Sequence, residues 1–173
     1  AILKEAARGT LIFGVCGGYQ MLGQSVSDPG GVEAAGVTQI RGMGLLPMDT
    51  VFHGEKVQTQ TKGVFSGVAG LLSGLNGLSY TGYEIHMGRS QAQLPPLTGS
   101  GNVYGSYVHG VFDAPGVADA ILQALCKKRG LDASVLGAFD AAAYKTQQYD
   151  LLADAVRAGL DMDLVYRALR REI

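Results

Sequence analysis

The segment Leu11-Ile12-Phe13-Gly14-Val15-Cys16-Gly17-Gly18-Tyr19-Gln20 constrains the chain more than any other. Its apolar run over 11–15 reads as a buried strand, the glycine pair permits a tight turn, and a helix opens over 17–25. A cysteine on such a strand-to-helix elbow is lifted out of the sheet toward ligand. Its thiol also faces the N–H groups of a helix N-terminus, whose partial positive charge favours the thiolate, the form that attacks carbon. The same pattern also suits a buried cysteine serving as a small core hydrophobe, so its partners must decide.

The rest of the chain supplies a frame for that elbow. Residues 1–8 read as a helix and 25–36 as a loop marked by Ser27-Asp28-Pro29-Gly30-Gly31. Gly42 to Pro47 reads as an apolar turn, followed by strands near 48–53 and 56–62. Residues 64–77 are rich in glycine and leucine and read as loop or irregular edge structure. A strand is expected over 78–89, a loop over 91–102 and a strand over 103–108. A helix over 116–129 carries Val117, Ala120, Ile121, Ala124 and Leu125 at helical spacing. Residues 136–173 are expected to be helical with breaks. Strands alternating with helices, then clustered strands and terminal helices, predict an α/β sandwich with a largely parallel central sheet. Ligands bind such sheets beyond the carboxyl ends of the strands, where Cys16 and His109 both stand.

Composition narrows the function classes. A net charge of −1 offers no basic field for nucleic acid or an anionic membrane. No apolar run is long enough to span a bilayer. Cys16 and Cys126 fit neither a zinc spacing nor a disulfide framework, so no metal is expected and a reducing, cytoplasmic location is. Ala1 to Ala7 reads as the middle of a helix without a cap, so the chain is expected to be a piece of a larger protein.

A cysteine nucleophile needs a base, and the candidates are His53, His86 and His109. His109 directly follows the clean strand Val103 to Val108, which makes it the best placed. His53 lies beside Gly54-Glu55-Lys56 and reads as a solvated loop residue. His86 reads as a strand histidine bonded to backbone or as part of a pocket mouth. Cys126 reads as structural.

The run Gly14 to Gly23, with Gly105-Ser106-Tyr107-Val108-His109-Gly110-Val111-Phe112-Asp113, resembles the class I, or triad, glutamine amidotransferase domains. More narrowly it is similar to the carboxy-terminal domains of cobyric acid synthases. Gly42 to Pro47 and Gly82-Tyr83-Glu84-Ile85-His86-Met87-Gly88-Arg89 fit the same family, so the resemblance covers nearly the whole chain. It implies a flavodoxin-like three-layer sandwich over 1–173 lacking its N-terminal part, with a helical extension over about 136–173. It implies a glutaminase in which the Cys16 thiolate attacks the glutamine amide carbon and His109 shuttles the proton to departing ammonia. Gly17 would donate to the oxyanion and Gln20 would help to hold the substrate.

The match departs from the family pattern in two places. Triad relatives carry a glutamate two residues past the histidine, where this chain has Val111. Glu84 and Asp113 are the local acidic alternatives, with His86 a possible accessory; Asp113 before Pro115 also reads as an ordinary turn aspartate. The loop that supplies a second oxyanion donor is expected upstream of Ala1, so the isolated chain is expected to be a poor glutaminase. The domain itself is expected to need no cofactor. The resemblance implies a separate amino-terminal synthetase domain using ATP and magnesium to activate corrinoid carboxylates. Related readings are a cobyrinic acid a,c-diamide synthase, a glutaminase of cell-wall lipid precursors, another cysteine acyl-transfer enzyme, or a non-catalytic scaffold of the same fold.

Overall fold

The structure, a computed structural model, describes residues 1–34, 36, 38–90, 95–135, 137 and 140–172. Two compact units, Ala1–Ala138 and Phe139–Ile173, divide the chain. The first runs through α1 (Ile2–Ala7), β1 (Ile12–Val15), α2 (Gly17–Leu22), β2 (Ser25–Ser27), β3 (Gln39–Arg41) and β4 (Asp49–Val64). It continues through a 3-10 helix (Gly70–Leu75), β5 (Ser79–Arg89), β6 (Thr98–Ser100), β7 (Val103–Ser106), a 3-10 turn (Val111–Asp113) and α3 (Val117–Arg129). The second unit holds α4 (Ala141–Gly159) and α5 (Met162–Leu169).

One sheet has the order β1-β7-β6, the other β3-β2-β4-β5. β1 pairs with β7 in parallel, from Ile12 opposite Val103 to Val15 opposite Ser106, while β6 joins β7 antiparallel. In the second sheet β2 runs parallel to β4, and the β2–β3 and β4–β5 pairs are antiparallel. The molecule is therefore α/β with mixed sheets among the described residues.

Close packing of α2 on β1 depends on Gly14. A Cβ there would stand 2.8 Å from the Gly18 backbone and from Leu22 Cδ1. Gly105 on β7 plays the same part, since its Cβ would enter the ring of Tyr19. Tyr19 then packs with Leu22, Met48, Val103 and Tyr107 in one core cluster. A second cluster joins Phe65, Leu72, Leu75, Tyr104, Val108 and Val117.

Several elements differ from their expected form. The helix after the elbow ends at Leu22 rather than 25, and Ser25–Ser27, expected in a loop, forms a strand because β3 and β4 take up its hydrogen bonds on both sides. The strands expected at 48–53 and 56–62 are a single strand, β4, whose register shifts between Phe52 and Val57. That irregularity absorbs the expected turn, so His53 lies exposed on a strand and not in a loop. Residues 64–77 are core and not edge: Phe65, Val68, Leu72 and Leu75 are buried. Leu72 and Leu75 are buried in one cluster from a short 3-10 segment that kinks at Leu72, an irregular form that no strand or helix period marks. The expected 91–102 loop contains β6, and its residues 91–94 lie outside the described residues, as do 136, 138, 139 and 173 of the terminal helical region.

In the second unit, Asp140 and Asp161 cap α4 and α5, each accepting a backbone N–H, from Ala143 at 2.9 Å and Leu164 at 3.0 Å. No helix among the described residues is long and apolar enough to cross a membrane.

Candidate active site

Because β1 and β7 are adjacent and parallel, their carboxyl ends emerge side by side. Cys16 follows β1 immediately and His109 stands three residues past the end of β7. The Cys16 backbone N–H donates to the Ser106 carbonyl at 2.9 Å, which ties the elbow to the neighbouring strand. Cys16 has φ 52° and ψ −113°, a conformation that a side-chain-bearing residue adopts at a cost of about 1–3 kcal/mol. The following Gly17 and Gly18 are exposed, and a Cβ at either would meet no atom within 4 Å. The turn is therefore open to solvent at Gly17 and Gly18.

The thiol itself is half-buried, and its Sγ lies 3.5 Å from the Ile85 carbonyl oxygen, to which it donates. Burial pushes the Cys16 thiol above its ordinary value, and the Gly17 N–H, which favours the thiolate, offsets only part of the rise. Burial thus opposes the thiolate at Cys16, and the six-residue helix that follows is short.

His109 is half-buried and pairs with β5 through an isolated antiparallel bridge to Tyr83. Its N–H donates to the Tyr83 carbonyl at 2.8 Å, and the Tyr83 N–H donates to the His109 carbonyl at 3.2 Å. The two rings stack with centroids 4.9 Å apart and planes 6° apart. Residues 83–85 of β5 thus touch both Cys16 and His109.

Glu84 faces His86, two residues along the same strand face, with Oε2 3.1 Å from the His86 Nε2; the opposite nitrogen lies 2.7 Å from the Gly88 carbonyl. Glu84 is thus engaged with His86. Asp113 closes the 3-10 turn after His109, its N–H donating to the Gly110 carbonyl at 2.9 Å. Val111, where the triad relatives have their acid, is buried in the core cluster with Val108 and Val117. A carboxylate there would be desolvated among aliphatic side chains.

Gln20 sits one helical turn beyond Cys16, its N–H donating to the Cys16 carbonyl at 3.1 Å. Its buried side chain donates through Nε2 to the Tyr107 hydroxyl at 3.4 Å. That hydroxyl bonds Ser90 Oγ at 2.6 Å, and Ser90 Oγ bonds Thr50 Oγ1 at 2.8 Å. Tyr107 also stacks on His86, with centroids 3.9 Å apart. Gly88 leaves room for the amide, since a Cβ there would stand 2.5 Å from Gln20 Nε2. Sequence patterning passed over Tyr83, Tyr107, Ser90 and Thr50. The first two lie inside quoted motifs, but pairing across strands, which no local pattern carries, gives them their contacts.

Cys126 is half-buried on α3. Among the described residues no group of three or more His, Cys, Asp and Glu side chains could hold a metal ion.

A strained cysteine before an open glycine pair, with a histidine just past the adjacent parallel strand, is an arrangement that can serve cysteine–histidine acyl transfer on an α/β frame. The family comparison agrees with that class: residues 1–117 match the CobB/CobQ-like glutamine amidotransferase domain. The chain belongs to this family. It is 43% identical over 198 residues to a cobyric acid synthase of Lachnoclostridium phytofermentans, covering 100% of the chain and 38% of that relative. It is also 43% identical to the cobyric acid synthase of Ruminiclostridium cellulolyticum, over 99% of the chain and 37% of the relative. A cobyric acid synthase of Dehalococcoides mccartyi is 38% identical over a similar span. The chain therefore spans little more than a third of the length of these curated relatives.

Proposed function

We propose that this chain is the glutaminase domain of a cobyric acid synthase. In this reading Cys16 and His109 release ammonia from glutamine for ATP-dependent amidation of corrinoid side-chain carboxylates. The observation that carries it is the strained Cys16 elbow beside the His109 strand end, both resting on residues 83–85 of β5.

The chemistry starts from the Cys16 thiol. His109 takes the Cys16 proton as Sγ attacks the glutamine amide carbon, so that charge separation occurs only as the bond forms. The Gly17 N–H, exposed at the start of α2, donates to the developing oxyanion. Collapse expels ammonia, which carries away the proton held by His109, and leaves a γ-glutamyl thioester on Cys16. Water that gives a proton to the same imidazole then attacks the thioester, releasing glutamate and restoring the thiol. Gln20, held by Tyr107, presents its amide to the substrate. Glu84 and His86 form a polar wall beside Ile85, and Asp113 shapes the turn after His109.

The domain reading takes 1–173 as the amidotransferase domain with a helical extension over about 136–173. Its frame in the complete domain is a flavodoxin-like three-layer sandwich with a mostly parallel sheet, supported by the parallel β1–β7 pair. Among the described residues β1 is paired on one side only, which leaves an edge for a further strand. The remaining length of the relatives would hold a synthetase domain that uses ATP and magnesium, with the corrinoid bound there. No nucleic acid, membrane or metal enters this reading, and its setting is cytoplasmic.

The test is glutamine hydrolysis by the full-length protein. Cys16→Ser and His109→Ala are expected to abolish glutamate release, and brief incubation of the parent protein with glutamine is expected to add a γ-glutamyl mass at Cys16. Undiminished glutamate release by Cys16→Ser would sink the assignment.

A further inference from the structure

We propose that Tyr83 is the positioning residue of His109, holding the imidazole plane that a third carboxylate holds in the triad relatives. This rests on the Cys16–His109 reading above. Val111 lies in the core and Glu84 is bonded to His86, whereas the His109 ring stacks on Tyr83 at 4.9 Å and 6°.

Three features of β5 converge on this contact. Gly82 brings the strand in close: a Cβ there would strike the His109 carbonyl oxygen and stand 2.6 Å from Val108 Cγ1. Two backbone hydrogen bonds at 2.8 and 3.2 Å then hold residues 83 and 109 opposite each other. In an antiparallel pair, side chains directly opposite share one face of the ribbon, so the phenol and the imidazole must meet. Finally, Tyr83 is 42% exposed, so its ring is spent on His109 and on solvent more than on core packing.

The stack restricts rotation of the imidazole out of its plane, beside the strand ends where Cys16 stands. It also places the electron-rich phenol face within about 6 Å of a ring that becomes cationic when it takes the thiol proton, a favourable cation–π geometry. Both effects act on the chemical step and not on glutamine binding.

The experiment compares Tyr83→Phe and Tyr83→Leu in the full-length protein, with Cys16→Ser as the control for the underlying reading. Tyr83→Phe, which keeps the ring, is expected to hold kcat within about twofold of the parent. Tyr83→Leu is expected to lower kcat by about tenfold to a hundredfold, as loss of alignment does, with KM for glutamine little changed and the melting temperature close to that of the parent. The His109 ring-proton NMR resonances should be shifted by the stacked ring in the parent and in Tyr83→Phe, and lose that shift in Tyr83→Leu. Should Tyr83→Leu fail to fold, the Tyr83→Phe spectrum and kcat still carry the test. Equal loss of kcat in Phe and Leu variants, a loss expressed in KM alone, or an unshifted His109 resonance in the parent would overturn the proposal. Hydrolysis surviving in Cys16→Ser would instead overturn the glutaminase reading beneath it.

Discussion

Replacing Tyr107 by phenylalanine removes the hydroxyl that links Gln20 to Ser90 and leaves the ring in place. The ring keeps its edge contact with Tyr19, 5.1 Å between centroids, and its stack on His86 at 3.9 Å. Lost are the acceptor for Gln20 Nε2 at 3.4 Å and the partner of Ser90 Oγ at 2.6 Å. Ser90 still has Thr50 Oγ1 at 2.8 Å, so the exposed deficit falls on the Gln20 amide, a side chain on a residue only 6% accessible. An unsatisfied buried donor costs about 1–3 kcal/mol, and the length of the Gln20 bond places this one in the lower half, about 1–2 kcal/mol. For a chain of this size that lowers the melting temperature by about 3–6 °C. Urea unfolding of parent and Tyr107→Phe proteins measures it directly. The Ser90→Ala variant completes a double-mutant cycle in which the pair should couple by at least about 0.5 kcal/mol. In the glutaminase assay Tyr107→Phe should raise KM for glutamine more than it lowers kcat, because Gln20 loses its anchor. An unchanged or raised unfolding midpoint would refute the reasoning, since it would mean that the Gln20 amide finds water or another partner without cost.

Two further predictions concern titrating groups. Alkylation of Cys16 by iodoacetamide in the substrate-free protein should rise with pH and reach its half-point above that of a free cysteine, because burial favours the neutral thiol; a half-point below it would contradict the desolvated setting. Asp28 accepts backbone N–H bonds from Val32 and Glu33 at 2.8 Å and from Ala34 at 3.0 Å, and these donors, Glu33 foremost, hold its carboxyl below the usual range. Its folded value lies under its unfolded one, so its stabilising contribution is present above the unfolded value and is lost as pH falls through the folded one. The Asp28→Asn protein should therefore melt lower than the parent at neutral pH, with the gap closing in acid, and a gap that widens on acidification would count against the turn geometry.

How far the sequence could be read depended on the range of the interaction involved. The elbow was legible because its parts are contiguous: an apolar run, a cysteine and two glycines need no distant partner to specify a strand, a sharp turn and a helix start. Helix α3 was legible for the same reason, with Val117 and Ile121 four apart on its buried side and Gly130 closing its end at φ 67°. Residues 64–77 were misread because the burial of Phe65, Leu72 and Leu75 comes from packing a kinked 3-10 segment against Val117 and Ile121, partners distant in sequence. Ser25–Ser27 was misread because its strand character comes from β3 and β4 on either side of it. The surroundings of the thiol were not legible either: a helix N-terminus is visible in the residues, whereas the desolvation that pushes the Cys16 thiol up depends on what packs around it.

The sequence by itself determined that a cysteine would stand at the end of a strand, with Gln20 a turn beyond it and a histidine after another strand. These are local consequences of side-chain volume, glycine freedom and helical period. Tertiary structure decided that the two strands are neighbours in parallel, that β5 lies across their ends, and that Tyr83, not Glu84, meets His109. The physical reason is pairing register: a shift of one residue in β5 would exchange the two side chains between faces, and register is set by hydrogen bonds and by the close approach at Gly82.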